Sequence, residues 1–149
     1  YWPAATATAT NNNNSHTATT DHSGMTTMTA YDDNNIFAKI LRGEIPCDKV
    51  LENDHVLAFR DIAPVRPTHV LVIPKGQYVS MDDFTARASD AEMAAFVRAI
   101  GDVARLDGIE GDGYRILSNI GKHGRQEVPH LHVHVIGGDD VGPMISKRD

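Results

Sequence analysis

The sequence has a single cysteine, Cys47, among its 149 residues. One thiol excludes an intramolecular disulfide framework and any zinc site built on several cysteines, and it suits a reducing cytosol. Long apolar runs are missing too: no stretch of about 18 apolar residues occurs, so no segment reads as a membrane span. The N-terminus has neither the basic n-region nor the apolar h-region of a secretory signal, and the expected location is the cytoplasm. Basic residues are scarce, with 14 Lys and Arg against 20 Asp and Glu, for a net charge of −6. That balance counts against a nucleic-acid surface, which draws on clustered cations, so any phosphate bound is expected to belong to a small ligand. What is present, 41% hydrophobic and 23% charged residues, is the composition of one globular domain with a proper core.

Residues 1–30 are almost all Thr, Ala, Asn and Ser with no apolar period, and such a segment buries too little to offset its ordering entropy. It is expected to be a disordered or non-native extension, with Met25 or Met28 a more natural start and with His16 and His22 outside any chemistry. The domain is expected to occupy residues 31–149.

Order should begin near Asp32-Asp33-Asn34-Asn35, which offers helix caps, and Ile36 to Arg42 then has the spacing of a short helix stopped by Gly43. Lys49–Glu52 and His55–Asp61, separated by Asn53-Asp54, form a predicted hairpin. The two-proline loop Ile62 to Pro67 leads into an apolar strand, Thr68–Pro74. Ser89 and Glu92 make a capping box for a long amphipathic helix that ends at Gly108 and covers a sheet face. Tyr114–Asn119 is a predicted strand. Hairpins without alternating β and α units imply an antiparallel sheet with helices packed on it, the α+β class.

The most informative stretch is His130-Leu131-His132-Val133-His134-Val135-Ile136-Gly137-Gly138. In a strand, alternate side chains face opposite ways, so the three histidines share one face while Leu131, Val133 and Val135 turn to the core. Neighbouring imidazoles would stand roughly 6.5–7 Å apart. Two other readings compete: a solvent face, for which imidazole is a poor default, and zinc, whose coordination sphere is smaller than the span of three ligands on a straight strand. The loop from Asn119 to Val128 precedes the histidines. Gly121 and Gly124 let backbone approach a ligand, and Asn119, Gln126 and the Val128 N–H are neutral donors suited to a phosphate. A neutral imidazole attacks phosphorus as well as it accepts protons. His132, flanked by the other two, is the natural nucleophile, with one nitrogen held as N–H by an acceptor, and His134 a general acid. This chemistry requires neither metal nor cofactor.

The pattern Gln126-x-Val128-x-His130-x-His132-x-His134-Val135-Ile136-Gly137-Gly138 resembles the signature of the histidine triad superfamily, and Gly137-Gly138 resembles its Hint branch more than its Fhit branch. Ile36–Ile40, Ala58–Ile62 and Pro67–Lys75 resemble further Hint segments in the same order. The resemblance implies a fold with a five-stranded antiparallel sheet packed with one long and one short helix. It also implies a homodimer, and hydrolysis of purine nucleoside 5′-phosphoramidates (of AMP or GMP) through a nucleotidylated His132. By match to the motif, His130 completes the triad, His69 supports it, and Asp61 takes the ribose hydroxyls. Ile36, Phe37, Ile40, Phe59 and Ile62 would enclose the base, and Asn119, Gln126, Val128 and His134 would hold the phosphate. Glu127 stands where many relatives carry Ser, which bears on the leaving group. The Cys pair that some Hint proteins carry is replaced by Asn35 and Ala38. Two alternatives stay open: a dinucleoside polyphosphate hydrolase of the Fhit type, and a nucleotide-binding regulatory module with little turnover.

Overall fold

Asn35 accepts the Ala38 N–H at 2.9 Å and so caps the first helix, α1 (Ile36–Leu41), in the computed structural model, which describes residues 30–148. The expectations for residues 1–29, with His16 and His22, lie outside the described residues. Beyond α1 come β1 (Lys49–Glu52), β2 (Val56–Arg60), β3 (Thr68–Pro74), α2 (Met81–Arg87), α3 (Asp90–Leu106), β4 (Tyr114–Leu117) and β5 (Val133–Gly137). The strands form one sheet in the order β1-β2-β3-β5-β4, and every neighbouring pair is antiparallel.

The central strand, β3, is buried along its whole length, because both faces of the sheet are covered there. Val70 and Val72 point to one side, with Val56, Ala58, Val133 and Val135, and meet Phe96, Ala99 and Val103 of α3. Leu71 and Ile73 point to the other, with Leu57 and Phe59, and meet Phe37 and Ile40 of α1. The capping box of Ser89 and Glu92 starts α3 as expected. Asp107 caps its other end and takes two hydrogen bonds from Arg60, both 2.9 Å, and one from Thr68 Oγ1, which ties α3 to the ends of β2 and β3.

Three details differ from the sequence reading. A second short helix, α2, is added; Ser80 caps it and Asp83 pairs with Arg87 one turn on, but its seven residues are too few to carry a readable period. The histidine strand begins only at Val133. The ladder from Val72↔Val133 would next need a donor near Pro74, which has no N–H, and the Pro74 carbonyl is taken by the His130 ring instead. His130 and His132 therefore sit on an extended arm, held by the Leu131 N–H to the Tyr78 carbonyl at 2.8 Å. The strand β4 stops at Leu117, and Ser118 turns its hydroxyl to the His132 carbonyl at 2.7 Å.

Candidate active site

The alternation of the histidine stretch persists along the arm: Leu131, Val133 and Val135 enter the core beneath α3, and His132 faces the α1 side. That face is core as well as chemistry, since Phe37 lies edge-on to both Phe59 and His132, with centroids 5.5 and 5.0 Å apart. The rings of His132 and His134 are 5.2 Å apart, within reach of one phosphoryl group.

Hydrogen bonds fix the tautomer of each ring. His132 Nδ1 is 2.7 Å from the His130 carbonyl, which can only accept; Nδ1 therefore carries the proton and Nε2 keeps a lone pair. His130 Nε2 donates to the Pro74 carbonyl at 2.9 Å, so its Nδ1 accepts. The Val65 N–H donates to His69 Nδ1 at 3.2 Å, leaving the proton on His69 Nε2. That nitrogen donates to His134 Nδ1 at 2.8 Å and lies 3.5 Å from Asp61 Oδ2. A directed relay results: Val65 N–H to His69 to His134, whose own Nε2–H is left for a ligand.

Burial keeps these rings neutral. His130 and His134 are both pushed down to about 4, His130 by desolvation above all and His134 by desolvation together with its histidine neighbours. His132 and His69 are lowered for the same first reason, and the Asp61 carboxylate opposes the shift at both. A neutral His132 with a free Nε2 is a nucleophile without further activation.

Asp61, His69 and His134 offer three ligand atoms within 4.8 Å of one another, the one metal-like cluster among the described residues. The donor chemistry does not suit an ion there. Metal on His69 Nε2 would require that nitrogen to lose its proton and Nδ1 to gain one, against the Val65 N–H.

The apolar residues matched to the base, Ile36, Phe37, Ile40 and Phe59, gather in one cluster with Val128 at its edge. Ile62 is apart from it and 49% exposed. Gln126 does not point a free amide at the histidines. Its Nε2 donates to the Val79 and Val128 carbonyls, and its Oε1 accepts the Gly121 N–H at 3.0 Å, so it shapes the loop. Asn119 is half-buried just before that loop. A cleft of about 940 Å³ lies elsewhere, between Thr68, Asp107, Tyr114, Arg115 and Asp140, and holds no histidine.

Gly124 is what lets the loop turn so tightly. A Cβ there would lie 2.4 Å from the Ile120 carbonyl oxygen and 2.6 Å from the Ile120 nitrogen, both backbone atoms that cannot step aside. Gly124→Ala is therefore expected to destabilise the protein by about 1–3 kcal/mol in urea unfolding. A cost below about 0.5 kcal/mol would mean that the loop yields freely.

Sequence reasoning missed Tyr31, the Val65 N–H and the Pro74 carbonyl. The last two are backbone groups with no signature, and Tyr31 stands at the border of a low-complexity stretch with nothing to mark it.

The HIT domain family matches residues 42–141. A HIT-like protein of Azospirillum brasilense is 65% identical over 117 residues, covering 78% of this chain and 96% of that one. The purine nucleoside phosphoramidase of Escherichia coli strain K12 is 41% identical over 116 residues, 78% of this chain and 97% of that enzyme. Among solved structures, a HIT family hydrolase from Clostridium thermocellum superposes with a TM-score of 0.69 at 37% identity, over 76% of this chain and 98% of that one. With its arm of alternating histidines, its five-stranded sheet and these relatives, the chain belongs to the HIT, or histidine triad, family.

Proposed function

We propose that the protein hydrolyses purine nucleoside 5′-phosphoramidates, those of AMP or GMP, by covalent catalysis through His132. One observation carries the reading: the His130 carbonyl holds His132 Nδ1–H and leaves Nε2 as a lone pair on a neutral ring. Similarity to a purine nucleoside phosphoramidase supports the substrate class.

In the first step His132 Nε2 bonds to phosphorus and the P–N bond breaks; the amine leaves with a proton from solvent. In the second, water attacks the nucleotidyl-histidine, its P–N bond breaks, and the nucleoside monophosphate departs as His132 regains its lone pair. His134 donates its Nε2–H to a phosphate oxygen as a neutral group, since the His69 N–H already occupies its other nitrogen. His69 and Asp61 set that tautomer, and the Asp61 carboxylate, whose Oδ1 also accepts the Ala63 N–H at 2.8 Å, would take the ribose hydroxyls. Asn119 and the Val128 N–H would donate to the phosphate, from a loop shaped by Gln126. Ile36, Phe37, Ile40 and Phe59 form the floor under the base, and Ile62 forms its outer wall. A homodimer would form along β4, an outer strand that leaves Tyr114 and Ile116 41% and 52% exposed.

The test is AMP release from adenosine 5′-phosphoramidate, with and without EDTA. Steady turnover unchanged by the chelator is expected. Loss with EDTA would restore a metal, and tight AMP binding without turnover would make the protein a nucleotide-binding regulatory module.

A further inference from the structure

The mechanism above uses His132, His134, His69 and the backbone of His130, and gives no part to the His130 ring or to what holds it. That ring is fully buried, and both its nitrogens are engaged. Since Nε2 donates to the Pro74 carbonyl, Nδ1 must accept, and the group facing it at 2.5 Å is the Tyr31 hydroxyl. The Tyr31 oxygen accepts in turn from Asn35 Nδ2 at 2.9 Å. Asn35 is itself fixed, as its other amide contact is the Asp32 carbonyl at 2.7 Å and its Oδ1 caps α1. Every donor in this line has one permitted direction: Asn35 to Tyr31, Tyr31 to His130, His130 to Pro74. The Tyr31 ring also packs edge-on against the imidazole, with centroids 5.5 Å apart.

We infer that Tyr31 is a positioning residue for the nucleophile: its hydroxyl clamps the His130 ring between the approach to α1 and the end of β3, and so places the His130 carbonyl that dictates the tautomer of His132. The inference rests on the reading of His132 as nucleophile. It assigns a function to a residue at the junction with the low-complexity extension, and it gives a role to a fully buried member of the triad. The link is short. His130 has no ladder partner on the arm, so the peptides on either side of it are held by its own N–H to the Val128 carbonyl, by the Leu131 N–H to the Tyr78 carbonyl, both 2.8 Å, and by what grips the side chain between them. Without the tyrosine hydroxyl, a buried imidazole nitrogen loses its only donor, and the ring gains by rotating toward another. Its carbonyl then shifts against His132 Nδ1.

The experiment compares the full chain with Tyr31→Phe, which keeps the ring and removes only the O–H. Nitrogen-15 NMR of the histidine rings reads the His132 tautomer in the free protein, and kinetics on adenosine 5′-phosphoramidate read kcat and KM. The wild type is expected to show one tautomer at His132, protonated on Nδ1. Tyr31→Phe should show a mixture, with kcat lower by about tenfold or more, as orienting partners of functional histidines typically cost, and KM within about twofold. A single Nδ1–H tautomer with unchanged kcat in Tyr31→Phe would overturn the inference. Asn35→Asp is the second variant: it keeps the cap oxygen for Ala38 but presents the tyrosine with a competing acceptor, and it should shift the His132 tautomer in the same direction. An unchanged tautomer there would equally count against the clamp. The NMR signal involves no substrate, so a wild type inactive on the phosphoramidate would reject the proposed reaction and still leave the clamp decided.

Discussion

Replacing His132 with alanine is expected to stop steady AMP release from adenosine 5′-phosphoramidate, with kcat lower by about 10³-fold or more. The size follows from the covalent route. Without an imidazole on the inner side of the phosphoryl group, the reaction must proceed by direct attack of water, and neither remaining triad imidazole is free to serve as its base: His134 Nδ1 is occupied, and the His130 ring is held at both nitrogens. Nucleotide affinity should change far less, by under about tenfold, because the apolar floor and the loop donors remain. Acid quenching of the wild type during turnover should trap a nucleotidyl-protein that the variant does not form. Turnover in His132→Ala within about tenfold of wild type would remove this residue as nucleophile.

Acid should weaken the fold well above the pH at which carboxylates protonate. Four histidines, His69, His130, His132 and His134, have their pKa lowered by burial. For a base whose folded pKa is depressed, the unfolded chain binds more protons between the two values. The stability is thus complete above the unfolded pKa and is lost as pH falls toward the folded one. His130, moved from 6.5 to about 4, accounts for about 3 kcal/mol of this loss between those two pH values. Each of the other three adds to the slope, up to about 1.4 kcal/mol per pH unit per proton. Urea midpoints measured from pH 7.5 to 4.5 should fall steeply below about pH 6, a large fraction of the stability of an ordinary domain. A midpoint flat to pH 5 would mean that these rings are not held neutral in the folded protein.

The fold was legible wherever side-chain pattern decides structure. Thr68–Pro74 and Lys49–Glu52 fall at the predicted positions because apolar alternation and proline or Asn-Asp punctuation bound them, and the capping box at Ser89 marked the start of α3. The short α2 and the late start of β5 were not legible. The first has too few residues for a period, and the second depends on which strand lies opposite, which Pro74 decides across a gap of more than fifty positions in sequence. In the site, the histidine pattern announced itself, and the match to the histidine triad proposed roles for the surrounding residues. The direction of each hydrogen bond was not readable, because Val65, Pro74 and the His130 carbonyl act through the main chain and any residue there has the same backbone groups to offer. The sequence suggested a proton-donating His134; the relay from His69 could be found only once both rings were seen facing each other.

The carbonyl that holds His132 has a consequence for how this catalyst can change over time. An orienting group on a side chain, such as a carboxylate, is lost by one codon change, and a lineage can discard it in a single step. A peptide oxygen is present whatever residue is encoded at position 130, so no substitution deletes it. Mutation reaches it only by bending the main chain that presents it. Inheritance of the nucleophile's orientation is therefore tied to inheritance of the course of the arm, and sequences can drift widely around it while the chemistry stays in place.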